Sequence, residues 1–178
     1  QPHVAMVTTV AAAHLAPFEN LAGIAAEKAC IMDGLGPDGA AVLNGDIETA
    51  QILQDHAMRL GVRQVLFGET ARDWTVSDVR IADQVTVIQA RGAGQDFLFK
   101  LSVPGRHFAM NAVGVLAVVE ALGADPVAAS LDIAGWVPPV GRGTREVIVL
   151  DPASESESVE LLDDAFNANP TSLSASLE

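Results

Sequence analysis

The sequence predicts an α/β fold: a mostly parallel sheet flanked by helices, with a small antiparallel patch. Three observations carry this. Short continuous apolar runs rich in Val, Ile and Ala each lead into a helical pattern, as parallel strands covered on both faces do. A middle region instead alternates apolar and polar residues around a Gly92-Ala93-Gly94 turn, which indicates antiparallel pairing. Hydrophobic residues make up 49% of the 178, but aromatics only 4% and Tyr none, so the core is aliphatic. The length suits one domain, or one domain plus part of another.

The elements follow in order. Val4 to Val10 is an apolar, β-rich run and reads as a buried parallel strand. Ala11 to Asn20 is a loop. From Leu21 to Met32, Leu21, Ile24, Ala25, Lys28 and Ile31 recur at helical spacing until Gly34-Leu35-Gly36-Pro37. Ala40 to Leu43 is a second buried strand, which turns at Asn44-Gly45-Asp46 into a helix from Glu48 to Leu60. Val65-Leu66-Phe67 is a third strand, and Trp74 to Ile81, Val85 to Ala90 and Phe97 to Val103 form the alternating patch. A helix rich in Ala, Val and Leu spans His107 to Leu122, and Asp125-Pro126 opens another to about Ile133. Pro138-Pro139 marks a boundary. Thr144 to Leu150 and Val159 to Leu162 then read as a hairpin whose solvated tip is Asp151 to Ser158. A helix starts at Thr171 or Ser172.

Charge excludes some partners. The net charge of −13 argues against nucleic acid and against an anionic membrane surface, both of which need basic patches. No apolar run reaches spanning length and no secretory signal is seen. The single cysteine, Cys30, allows no intrachain disulfide. Gln1 directly before a strand reads as a cut, so the chain is expected to be a piece of a longer protein.

The chemistry-bearing residues are spread along the chain. There is no G-x-x-x-x-G-K-[S/T] phosphate loop, and Gly141-Arg142-Gly143-Thr144 has the wrong spacing and no lysine. His14 follows a buried strand, where ligand-binding groups sit in α/β sheets. Lys28 lies on or beside an apolar helix face, where it is either a snorkelling lysine or a partly buried amine able to take up CO₂ as a carbamate. Such a carbamate acts as a carboxylate toward Mg²⁺. Asn111, one turn after His107, could read a base edge, and Arg142 could reach phosphates. Asp163 and Asp164 end a strand before the Asx-rich run Asn167-Ala168-Asn169-Pro170, and strand alternation lets only one of them face a crevice and accept ribose hydroxyls. Each also has an ordinary structural reading: a loop histidine, an exposed helix position, a surface arginine.

Their order resembles the Mur ligase family. V-T-T-V-A-A-A-H-L-A-P-F-E-N-L-A-G-I-A-A-E-K (Val7 to Lys28), A-V-L-N-G-D (Ala41 to Asp46), V-P-G-R-H-F-A-M-N-A (Val103 to Ala112), P-P-V-G-R (Pro138 to Arg142) and L-L-D-D-A-F-N-A-N-P (Leu161 to Pro170) are similar to successive family segments. The last looks like the branch that joins D-Ala-D-Ala to UDP-N-acetylmuramoyl tripeptide. The resemblance implies a partial central ATP-binding domain over residues 1–137 and the beginning of a Rossmann-like C-terminal domain over 138–178. It implies that His14 and carbamylated Lys28 bind Mg²⁺, that Asn111 and His107 contact adenine, that Arg142 binds ATP phosphates and that Asp164 binds ribose. All are expected to converge on one magnesium–nucleotide pocket. Phe108 stands where the family has Asn, and Cys30 where an acidic residue is common.

The implied activity is an ATP-dependent, cytoplasmic ligase of bacterial peptidoglycan synthesis that works through an acyl phosphate. Without a phosphate loop, the isolated chain is expected to be inactive. An exposed strand edge before Val4 is expected to let it self-associate. The competing readings are a ligase of the folylpolyglutamate or cyanophycin synthetase type, and a non-catalytic binding module of the same fold.

Overall fold

The computed structural model describes residues 1–12, 18, 20–151, 154–166 and 168–177. The chain divides into two compact units, Gln1–Trp136 and Val137–Glu178.

The first unit is built on a six-stranded sheet whose spatial order follows the chain. Strands β1 (Val4–Val7), β2 (Ala40–Asn44) and β3 (Arg63–Gly68) are parallel. Strand β4 (Trp74–Ala82) joins β3 in parallel through only Phe67↔Trp74 and Gly68↔Thr75. It then turns antiparallel against β5 (Val85–Gly92), which pairs antiparallel with β6 (Gln95–Leu101). The β5–β6 turn works because Ala93 and Gly94 both take positive φ, 48° and 75°, which matches the twist of a two-residue hairpin.

Every residue of β2 is buried, because the strand is covered on both sides. Its Ala41 and Leu43 face one cluster, with Ala29, Met32, Leu53 and Ala57 from helices α1 (Leu21–Ala29) and α2 (Ala50–Leu60) and from the turn between α1 and β2. Its Val42 faces the other, with Phe67, Trp74, Ile88 and the apolar side of helix α3 (Arg106–Ala121). Helix α4 (Pro126–Asp132) opens on Asp125, whose carboxylate accepts from the Val127 N–H at 2.8 Å.

The antiparallel region, α2, α3 and α4 thus stand where the sequence put them, within a residue or two. Two local readings are corrected. Strand β1 ends at Val7, short of Val10. Helix α1 ends at Ala29, and a 3₁₀ turn over Cys30–Gly34 takes over. That turn rotates the register, so Met32 is buried and Ile31, read as part of the apolar face, is exposed.

In the second unit, β7 (Thr144–Asp151) and β8 (Ser154–Asp163) form an antiparallel hairpin, and α5 (Pro170–Leu177) follows. The strands run further into the acidic-serine stretch than the sequence suggested: Asp151 still pairs with Ser154, past a register shift after Val149. Helix α5 starts at Pro170, and Asn169 caps it by accepting from the Ser172 N–H at 3.1 Å. Among the described residues, no helix is long and apolar enough to cross a membrane.

Candidate functional site

The carboxyl ends of parallel strands are where crevice ligands bind in α/β sheets, and here those ends are polar. After β1, Thr8 and Thr9 border an open hollow of about 330 Å³ lined also by Met6, Val7, Glu27, Lys28 and Ile31. After β2, Asn44 is buried; its amide donates to the Thr8 carbonyl at 2.8 Å and its side-chain oxygen accepts from the Asp46 N–H at 2.9 Å. After β3, the backbone of Glu69 and Thr70 closes on Asp46. The Asp46 carboxylate accepts from both N–H groups, that of Thr70 at 3.1 Å, and from the Thr70 hydroxyl at 2.6 Å. Burial alone would raise the Asp46 pKa, but the Thr70 hydroxyl and the two backbone N–H groups together outweigh it and hold the carboxyl below its ordinary value of 3.8. Gly68, at φ 154°, is required there, since a Cβ would fall 2.4 Å from Asp46 Oδ2.

The N-terminus of α3 reaches the same edge. Arg106 grips Glu69 Oε1 through Nη2 at 2.5 Å and Nε at 3.1 Å. Gly105 donates its N–H to the fully buried Thr86 hydroxyl at 3.0 Å, which itself donates to the Val103 carbonyl at 2.7 Å. The ring of His107 lies against Phe108, with centroids 3.9 Å apart, and Phe108 packs in turn on Trp136.

The residues singled out from the sequence fall as follows. His14 lies outside the described residues. Lys28 is exposed, which departs from the partly buried amine and agrees with the solvent-reaching alternative. It follows the buried Ile24 by one turn, yet at that level α1 overhangs the hollow beside β1 instead of the core. His107 and Asn111 are brought together, four residues apart on one face of α3, with Asn111 exposed. Lys28 sits on a helix that packs on the opposite side of the sheet from α3.

In the second unit, Arg142 and Asp164 share the foot of the hairpin. Gly143 donates to the Asp163 carbonyl and Phe166 to the Gly141 carbonyl, both at 2.9 Å, and the Arg142 guanidinium stacks 4.6 Å from the Phe166 ring centroid. Asp163 turns its carboxylate to the Ala165 N–H at 3.2 Å, while Asp164 accepts from the Ser176 hydroxyl of α5 at 2.6 Å. The two neighbouring aspartates therefore have different partners, Asp163 at the last position of β8 and Asp164 just beyond it.

Among the described residues, no group of three or more His, Cys, Asp or Glu could hold a metal ion. Lys28 lines the hollow with Glu27, Thr8 and Thr9, so a carbamate formed on it would stand among oxygen-bearing groups, the donor type that Mg²⁺ takes.

Asn44, Asp46, Thr86, Glu69 and Arg106 were not singled out from the sequence. A signal existed for three of them. Asn44-Gly45-Asp46 and Glu69 directly follow apolar strand runs, where the crevice rule that drew attention to His14 applies equally.

A parallel sheet with polar strand ends and a helix N-terminus at the same edge defines a class of α/β protein whose ligands sit at the carboxyl ends of the strands. Residues 1–119 match the Mur ligase middle domain. The UDP-N-acetylmuramoyl-tripeptide–D-alanyl-D-alanine ligase of Escherichia coli is 32% identical over 183 residues, covering 100% of this chain and 38% of that protein. The UDP-N-acetylmuramate–L-alanine ligase of Mycobacterium marinum is 32% identical over 188 residues, covering 99% and 36%. Among solved structures, a MurF of Acinetobacter baumannii superposes with a TM-score of 0.85 at 26% identity, covering 98% of this chain and 36% of that one. A MurF ligase of Thermotoga maritima, solved in complex with ADP, shares the fold with a TM-score of 0.79 at 23% identity, covering 99% and 38%. The chain belongs to the Mur ligase family, and it spans 36 to 38% of the length of the relatives named here.

Proposed function

We propose that this chain is part of an ATP-dependent amide-bond ligase of peptidoglycan precursor synthesis, one that joins D-Ala-D-Ala to UDP-N-acetylmuramoyl tripeptide in the cytoplasm. In this reading residues 1–137 belong to the central ATP-binding domain and residues 138–178 begin the C-terminal domain. The observation that carries it is the segment Leu161 to Pro170, in which Asp163 ends β8, Asp164 follows it and Asn169-Pro170 open α5. The MurF fold likeness supports the same branch, whereas sequence identity is equal, at 32%, to the E. coli D-alanyl-D-alanine ligase and the M. marinum L-alanine ligase.

The reaction divides into two steps. The peptide carboxylate attacks the γ-phosphorus of ATP, and ADP leaves. The incoming amine then attacks the acyl phosphate, and inorganic phosphate leaves as the amide forms. His107 and Asn111 would hold the adenine, Asp164 the ribose hydroxyls, and Arg142 the phosphates, its guanidinium already oriented by Phe166. His14 and carbamylated Lys28 would hold Mg²⁺. When bound, Mg²⁺ offsets the charge on the transferring phosphoryl oxygens.

The test is ADP release by the full-length protein with paired substrates. Turnover is expected with UDP-N-acetylmuramoyl tripeptide and D-Ala-D-Ala, and none with UDP-N-acetylmuramate and L-alanine or with glutamate as the incoming amine. Turnover with L-alanine instead would move the chain to the branch of the M. marinum relative. Nucleotide binding without turnover on any pair would favour the non-catalytic reading. The 178-residue chain alone is expected to release no ADP, and robust turnover by it would refute that part of the proposal.

A further inference from the structure

One continuous chain of polar contacts runs along the carboxyl edge of the sheet into the first turn of α3. Thr8 binds Asn44, Asn44 fixes the backbone of Asp46, the Asp46 carboxylate clamps the backbone of Glu69 and Thr70, and the Glu69 carboxylate holds Arg106. Arg106 is the first residue of α3, so Glu69 grips the helix at its end. Thr86 anchors the same end from β5 through Gly105. We infer that Asp46 is a positioning residue for the α3 face that carries His107 and Asn111, acting through the Glu69–Arg106 pair.

This rests on the nucleotide reading of that face. The geometry makes the demand clear. A rotation of roughly 10° about the α3 axis moves a side-chain tip at the helix surface by about 1 Å, and a displacement of that size is enough to impair an oriented contact. The body of α3 is held by its buried apolar side and by the Trp74–Glu120 hydrogen bond, but at its first turn Thr86 fixes the backbone from one side only. Glu69 supplies a second point, and Asp46 gives Glu69 a fixed backbone from which to act. Glu69 and Arg106 are each about half exposed, at 46% and 48%, so the pair is modest for stability and its effect lies in orientation.

The test uses the full-length protein. Glu69→Gln and Asp46→Asn are expected to raise the KM for ATP about three- to fivefold, the range a half-exposed pair can supply. The kcat at saturating ATP should stay within about twofold, because the contact acts on nucleotide binding. The double variant E69R/R106E, which reverses the pair, should regain most of the lost affinity. As a matched control, Arg91→Gln breaks an exposed pair with Asp96 at 2.7 Å on the β5–β6 hairpin and should leave the KM for ATP unmoved. An unchanged KM in either Glu69→Gln or Asp46→Asn, an equal rise in Arg91→Gln, or no recovery in the reversed pair overturns the inference. If the wild type itself fails to use or bind ATP, the nucleotide reading falls and the inference with it; if only the variants fail to respond, the inference falls alone.

Discussion

Gly92 has no room for a side chain. A Cβ there would lie 2.1 Å from Trp74 Cδ2, inside the ring of the largest fully buried residue. Trp74 is fixed on two other sides, by Phe97 with ring centroids 5.1 Å apart and by a 2.6 Å hydrogen bond from Nε1 to Glu120 on α3. Gly92→Ala therefore pushes the indole against groups that cannot all give way, and should cost about 1–3 kcal/mol. The measurement is the urea midpoint of the chain, and a midpoint equal to wild type would show that the ring has space to move. Asp46 poses a different residue-level question, one of pH. Its folded pKa is lowered, so its contribution is present above the ordinary 3.8 and is lost as pH falls through the lower folded value. Urea midpoints of wild type and Asp46→Asn should thus separate above the ordinary value of 3.8, with the variant weaker, and converge as the pH falls below it. Parallel curves over that range would mean that the carboxylate is not what the Glu69 and Thr70 amides need.

At the scale of elements, Asn44 joins β1 to the loop after β2 from a buried position, using its donor on Thr8 and its acceptor on Asp46. Asn44→Ala leaves a carbonyl and an N–H without these partners and should cost about 1–3 kcal/mol. The loss is local, so amide exchange should quicken at Asp46 while the β5–β6 hairpin keeps its protection; uniform loss across the sheet would show that Asn44 supports the core and not the strand ends. Such tertiary ties also mark where reading the sequence stopped. The alternation of Phe97, Phe99 and Leu101 and the long Ala/Val/Leu run of α3 are periodic, and periodicity survives folding. The short β3–β4 contact at Phe67 and Trp74 has no local signal, since it depends on a strand that changes neighbours. The choice between the two readings of Lys28 was equally illegible: spacing puts it one turn from buried Ile24, and only the hollow beside β1 decides that it is exposed. His107 and Asn111, by contrast, share a face because four residues on a helix must, and Arg142 lies near Asp164 because both flank the paired ends of one hairpin.

At the scale of the molecule, two opposing terms decide whether this chain stays single. Strand β6 is packed by α4 and by the turn Ile133–Gly135, with a Ser102–Ala134 hydrogen bond of 2.8 Å between them. For β1, the described residues supply a strand on one side only, β2. An open strand edge presents unpaired backbone groups and invites a second copy. Against this stands a net charge of −13, which makes two copies repel. The repulsion is long-ranged and screened by salt, with a Debye length of about 10 Å at 0.1 M and about 3 Å at 1 M, whereas strand pairing is short-ranged and hardly screened. Self-association should therefore rise with salt as well as with concentration. Sedimentation of the 178-residue chain should give a mass near one copy in dilute, low-salt buffer and a larger weight-average mass in concentrated, high-salt buffer. A single-copy mass at high concentration and high salt would mean that the β1 edge is protected, whereas association that weakens with salt would point to charged contacts instead of a strand edge.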